Sequence, residues 1–186
     1  MKAVVINQYG SADELKVQEV LKPDISSEQV LVELHATSIN PIDWKLRYGY
    51  LKDQIPFAFP IILGWDAAGI VKEVGKDVSR FKVGDRVFAR PATTNRGTYA
   101  EYAAVDQDLL PIIPDNVSFE EAAAVPLAGE TAWQCMASPV FRLFGRSFSN
   151  IDASPFCLVH FRTVTFSFSS KNGKSVLPWI LPSVSR

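Results

Sequence analysis

The charge habit of this chain breaks after Cys135. Residues 1–135 hold 13 Lys and Arg against 19 Asp and Glu, whereas residues 136–186 hold 6 against 1, the lone acid being Asp152. Those last 51 residues carry 7 of the 12 phenylalanines, 10 serines and no Glu. One folding unit rarely changes composition so abruptly, so residues 1–135 and 136–186 are treated as different objects. With 186 residues there is room for one domain of ordinary size plus a fragment. An apolar share of 47% with 21% charged residues is globular and excludes wholesale disorder. A net charge of −1 argues against a whole-molecule grip on nucleic acid or an anionic membrane. Two cysteines, Cys135 and Cys157, cannot build a disulfide framework or a four-thiolate zinc site. No apolar run reaches the ~18 residues of a membrane span. The N-terminus turns polar at Asn7, too early for a signal peptide. These features point to a soluble protein of a reducing compartment, the cytoplasm.

Residues 1–135 read as mostly strand. Val4-Val5-Ile6 opens one strand, and Leu15 to Val20 roughly alternates. Residues 30–36 alternate well, with Val30, Val32, Leu34 and Ala36 on one face and Glu33 and His35 on the other. His35 is therefore expected at the surface. Asn40 to Arg47 has the start of a short helix: Asn40 as N-cap, Pro41 at the first helical position and Asp43 in the first turn. Gly49 is placed to end it. Ala67 to Val74 is a strand, Gly75-Lys76-Asp77 a turn, and Val83 to Ala89 a turn entering a strand. The next strand is expected from Tyr99 to Val105. Ser118 and Glu121 form a capping box for a helix that Pro126 limits. Many short strands with few helices predict a mainly β domain, a partly open β-barrel.

Gly64-Trp65-Asp66-Ala67-Ala68-Gly69-Ile70-Val71, then Val74-Gly75, Val83-Gly84-Asp85-Arg86-Val87 and Thr98-Tyr99-Ala100-Glu101-Tyr102, resembles the medium-chain dehydrogenase/reductase superfamily. Ala36-Thr37-Ser38-Ile39-Asn40-Pro41-Ile42-Asp43 looks like its zinc-independent quinone oxidoreductase branch. The order and spacing match over residues 1 to about 135. The resemblance implies a GroES-like catalytic domain, partly open and of β-barrel type, followed in the family by a Rossmann domain for NAD(P)H. A Rossmann strand should begin shortly after Cys135 and lead into a glycine-rich turn, where backbone N–H groups meet a pyrophosphate. Beyond Gly129 only Gly145 and Gly173 occur, with no G-x-G-x-x-G and no acidic residue at ribose spacing. The nucleotide domain is therefore expected to be absent. Residues 136–186 resemble nothing in the family. They are a truncated, frameshifted or misspliced product, or else a genuine accessory segment.

Zinc enzymes of the superfamily place Cys where this chain has Asn40, and a His-Glu pair where it has Trp65-Asp66. Asparagine and tryptophan are poor zinc ligands. Residues 90–99 contain no Cys for a structural zinc lobe, so no zinc is expected. Hydride transfer needs no Lewis acid if the acceptor is already electrophilic, as a quinone or enone is. The resemblance places Asn40 at the nicotinamide end of the cleft, and capping its own helix is the structural alternative. Asp43 is weighed as a proton-transfer group against a cap partner, and Tyr50 as a substrate-cleft residue against surface packing. Pro41, Trp44 and Lys45 fall where the family's helix meets the cofactor, although a solvated lysine is the commoner explanation of Lys45. Thr131 matches a threonine beside the nicotinamide, with a helix-start residue as the alternative. Ile42 replaces a relay hydroxyl and weakens an alcohol dehydrogenase assignment. The glycines are backbone devices, and Asp85-Arg86 is a structural turn with an ion pair.

In the last segment residues 164–169 alternate as a half-buried strand does, and Phe141, Phe144 and Phe148 beside Arg142 and Arg146 could line one helix face. Cys157 and His160 make a weak metal pair. Without a partner the Phe/Ser/Thr stretch is an aggregation hazard. Two expectations follow. The first is an NADPH-dependent, zinc-independent oxidoreductase, transferring hydride to a quinone or conjugated carbonyl but inactive as this chain. The second is a non-catalytic GroES-like remnant that binds a partner or forms a homodimer.

Overall fold

The computed structural model describes residues 1–137, 165–167, 170–171 and 174–175. The expected helix face at Phe141, Phe144 and Phe148 and the Cys157–His160 pair lie outside the described residues.

Strands form in each stretch that the sequence reads as strand, and also at Ile61–Ile62, Ser170–Lys171 and Lys174–Ser175, where none is predicted. They are β1 (Lys2–Ile6), β2 (Lys16–Glu19), β3 (Gln29–Ser38), β4 (Ile61–Ile62), β5 (Ala67–Val74), β6 (Arg86–Ala89) and β7 (Tyr102–Asp106). From the last segment come β8 (Thr165–Ser167), β9 (Ser170–Lys171) and β10 (Lys174–Ser175). One sheet runs β2-β1-β4; a second runs β6-β5-β3-β7, with β8 also paired to β3; β9 and β10 make a ribbon. Among the described residues no sheet closes on itself, and the mainly β, partly open GroES-like architecture is observed, with a few short helices. All the strand pairs are antiparallel.

β3 is the spine. Val30, Val32 and Leu34 enter a buried cluster with Val71, Val87 and Val105. The register against β5 shifts between Leu34 and Ala36. Such a bulge bends a strand, and Ala36 packs in a different cluster, with Ala68, Ile113 and Ala122. That third cluster is closed by α2 (Phe119–Ala123), whose predicted capping box is present: Ser118 Oγ accepts the Glu121 N–H at 3.1 Å, and Glu121 Oε2 accepts the Ser118 N–H at 2.9 Å. Close approach of β5 to β3 explains Gly69, since a Cβ there would strike the carbonyl oxygen of Glu33.

Four local expectations are corrected. His35 is not free at the surface: it is half-buried, stacked on Phe119 at 4.5 Å and 3.7 Å from Glu33, because α2 covers that face. The strand expected from Tyr99 begins at Tyr102. Residues 99–101 instead stitch the two sheets together: Val4 N–H donates to Tyr99 O at 2.7 Å, Glu101 N–H to Lys2 O at 3.1 Å, and Leu34 N–H to Glu101 O at 2.8 Å. The Asp85–Arg86 ion pair does not form. Asp85 accepts the Lys82 N–H at 2.9 Å, and Arg86 donates to Val117 O at 2.6 Å over the Phe119 ring. Finally, Pro126 both limits α2 and opens α3 (Pro126–Ala137), a helix that local patterning does not predict.

Candidate active site

α1 (Pro41–Arg47) forms as its first residues predict, with Pro41 at the first helical position and Asp43 in the first turn, and it stops before Gly49 at φ +82°. Asp43 Oδ2 accepts the Asn40 N–H at 2.6 Å, the return bond of a capping box. The Asn40 amide nitrogen turns elsewhere, donating to Asp66 Oδ2 at 2.6 Å and to Ser38 Oγ at 3.3 Å.

Asp66 is fully buried and lies at the centre of a polar cluster. Its Oδ2 also accepts from the Ser38 hydroxyl, and its Oδ1 accepts the Leu127 N–H at 2.8 Å. Leu127 is in the first turn of α3, where N–H groups have no intrahelical partner, so the carboxylate of Asp66, just before β5, caps that helix. The Asp66 carbonyl accepts the Thr37 hydroxyl at 2.7 Å. With its one proton spent there, Thr37 must accept from the Thr98 hydroxyl, 2.9 Å away. A single carboxylate thus joins the end of β3, the cap of α1 and the start of α3.

Burial raises the Asp66 pKa, although the Ser38 and Asn40 hydrogen bonds oppose the rise. Burial likewise pushes Asp43 up to about 6, against the bonds from Asn40 N–H and the Tyr99 hydroxyl, with the Asp66 charge adding to the rise. The Tyr99 hydroxyl donates to Asp43 Oδ2 at 2.9 Å, while Asp43 Oδ1 is buried without a partner. Burial, then the adjoining Asp43 carboxylate, holds the Tyr99 phenol protonated.

Beside this cluster lies a cleft of about 660 Å³ between α1 and α3, walled by Ile42, Leu127, Thr131 and Gln134, with Arg90 and Leu109 opposite. Thr131 is not a helix-start residue; it sits inside α3 and donates to Leu127 O at 2.7 Å. Trp44 in α1 and Tyr50 just after it are exposed, with Tyr48 stacked on Tyr50 at 5.8 Å and Trp44 meeting Tyr50 edge-on at 5.9 Å. Lys45 is exposed, its ammonium 5.8 Å from the Trp44 ring. The structure therefore brings Asn40 and Asp43 into one buried cluster, puts Thr131 in the cleft, and sets Trp44, Lys45 and Tyr50 on the surface. Sequence patterning misses Asp66 and Tyr99. The one available signal was that Asp66 sits where zinc relatives carry an acid.

Trp65 is fully buried among Ile6, Leu46, Ile61 and Leu63, and its indole nitrogen has no hydrogen-bond partner. Asn40 spends its amide on Asp66. Neither side chain is set to ligate a metal.

The alcohol dehydrogenase GroES-like domain family matches residues 26–115. A spinach protein named quinone-oxidoreductase homolog, chloroplastic, is 42% identical over 137 residues, covering 73% of this chain and 42% of that protein. A tomato 2-methylene-furan-3-one reductase is 42% identical over 141 residues, covering 72% of this chain and 36% of its own length. The structure of Escherichia coli quinone oxidoreductase complexed with NADPH superposes with a TM-score of 0.67 at 32% identity, over 74% of this chain and 41% of that one. The chain spans about two-fifths of the length of these relatives. The matched strands, the capped α1 and the motifs around Asp66 make this chain a member of the medium-chain dehydrogenase/reductase superfamily through its GroES-like domain.

Proposed function

We propose that this chain carries the catalytic-domain half of a zinc-independent, NADPH-dependent reductase of quinones or conjugated carbonyls, and that by itself it turns nothing over. The observation that carries the proposal is the cleft between α1 and α3, whose wall is apolar at Ile42, Leu109 and Leu127, polar at Thr131 and Gln134 and charged at Arg90 and Glu130. Its apolar part suits the flat face of a nicotinamide ring, with the polar groups left to fix orientation. When bound, reduced nicotinamide supplies hydride, two electrons, to the electrophilic carbon or oxygen of the acceptor, and solvent supplies the balancing proton. Thr131 and Ile42 bound the nicotinamide end. Trp44 and Lys45 face the ribose and phosphates from α1, and Pro41 starts that helix. Tyr50, stacked with Tyr48, offers an aromatic platform to a planar quinone at the mouth. Asn40 and Asp43 act from beneath, fixing the angle of α1. No zinc enters this chemistry, because the residues at positions 40 and 65 are an amide committed to Asp66 and a tryptophan packed in an apolar cluster.

The second reading, a non-catalytic GroES-like remnant that binds a partner or forms a homodimer, is favoured by the sequence beyond Cys135, which holds only two glycines and no phosphate-binding fingerprint. The two readings converge on one measurement. Calorimetric titration of the purified full chain with NADPH is expected to show no saturation at millimolar cofactor, because half a cleft holds a dinucleotide poorly. Saturable micromolar binding, with NADPH oxidised in the presence of a quinone, would show a complete enzyme. We also place the chain in a reducing compartment, the cytoplasm, on its two cysteines, too few for a disulfide framework. Among the described residues no helix is long and apolar enough to cross a membrane.

A further inference from the structure

Arg90 follows directly on β6 and lines the cleft between α1 and α3. It is half-buried, and its guanidinium is held by its own loop. One terminal nitrogen donates to Pro91 O at 3.0 Å and the other to Thr93 Oγ1 at 2.9 Å. Each of those nitrogens keeps a second N–H, and the Nε–H is not used in either bond. Among the described residues Arg90 has no ion pair. Its charge does reach the buried Asp66: burial raises the pKa of that acid, and Arg90 joins the hydrogen bonds of Ser38, Asn40 and Leu127 in opposing the rise. Asp66, however, takes its hydrogen bonds from those three residues and none from Arg90.

A fixed, half-buried cation without a carboxylate partner is a preorganised anion receptor, because the cost of orienting it is met before a ligand arrives. Around it the cleft is apolar at Ile42, Ala92, Leu109 and Leu127. The other charge in the cleft is Glu130, whose Oε1 accepts from Gln134 Nε2 at 3.1 Å along α3. We propose that Arg90 is a specificity-determining residue, which takes the carboxylate of an acceptor whose conjugated carbonyl lies over the apolar floor. The substrate class is then an unsaturated carbonyl compound bearing a carboxylate. Its anionic end points towards Arg90 and away from Glu130. This rests on the reading of the cleft as the place where cofactor and acceptor meet.

Ligand binding to the full chain, read without cofactor, tests this independently of the NADPH titration. trans-Cinnamate is a flat carboxylate with a conjugated body, and trans-cinnamamide is its neutral counterpart. In two-dimensional NMR of the isotope-labelled chain, cinnamate is expected to shift the Thr131 and Gln134 amide signals saturably at millimolar concentration. It should bind at least about fivefold more tightly than cinnamamide, since the bond to Arg90 is charge-assisted. Arg90→Gln should bring the two ligands level, and Arg90→Lys should restore part of the preference. Should Arg90→Gln not fold, Glu130→Gln at an exposed position supplies a second measurement. Removing that opposing charge should tighten cinnamate about twofold and leave cinnamamide unchanged. Inorganic pyrophosphate, the anion a dinucleotide brings, should displace cinnamate only weakly, because the apolar floor adds nothing to its binding. The proposal would be overturned by no cinnamate binding at millimolar concentration, by equal binding of the two ligands, by a preference that survives in Arg90→Gln, or by pyrophosphate binding more tightly than cinnamate.

Discussion

Asp43 and Asp66 are two carboxyl groups taken out of water in one cluster, and burial raises the pKa of both. A buried acid whose folded pKa lies above its unfolded value binds its proton more tightly when folded. Its contribution is therefore full at low pH and is lost as pH rises through the folded value. For Asp43 the window runs from about 4, the unfolded value, to about 6. The unfolding free energy from denaturant titration should fall across that window, by about 3 kcal/mol if the whole shift is expressed. Asp43→Asn should flatten the profile between pH 4 and 6, and an unchanged slope in that variant would remove Asp43 from the account. Glu33 runs the other way. Its partner Lys72, 2.8 Å away, helps lower its pKa, so its stabilisation is lost only on further acidification. Residue identities alone place Asp43 beside Asn40, a local spacing. They do not place Asp66, whose partners Ser38, Asn40 and Leu127 stand 28, 26 and 61 positions away.

α1 and α3 are short helices that owe their relative placement to tertiary bonds. Asp66→Ala would leave the Asn40 amide, the Ser38 hydroxyl and the Leu127 N–H without their acceptor in the interior. The expected cost is about 2–4 kcal/mol in urea unfolding, with faster amide exchange at the start of α3 than within α2. Asp66→Asn, which keeps an acceptor for Leu127, should lose less. Where β3 meets β5, Gly69→Ala would force a methyl against the Glu33 carbonyl oxygen, and we expect about 1–3 kcal/mol of destabilisation with the fold retained. These elements differ in how visible they are beforehand. The capping box at Ser118 and Glu121 is a contact three residues apart, so α2 is legible. The start of β7 is not, because Tyr99, Ala100 and Glu101 continue an alternating pattern while their backbone bonds pass to the other sheet. α3 is also hidden, since its first turn is capped by Asp66, an acid 61 positions away in the sequence.

Across the whole molecule, residues 1–135 are net acidic and residues 136–186 net basic. Raising salt from about 0.05 M to about 0.5 M shortens the screening length from roughly 14 Å to roughly 4 Å. Hydrogen-exchange protection at Thr165–Ser167 should therefore weaken with salt, while that of residues 30–34 stays level; a salt-independent β8 would mean that backbone pairing and packing alone hold it. Alternation, caps and composition act between near neighbours, so the mainly β class, the capped α1 and the break at Cys135 are legible in the residues, while the GroES-like assignment rests on the motif resemblance. That the Asn40 amide serves Asp66, that Thr131 lies inside a helix lining the cleft and that β8 pairs with the edge of β3 emerge only in the folded chain. Those outcomes depend on which buried donors and acceptors find each other across tens of residues, and desolvation makes each such pairing compulsory.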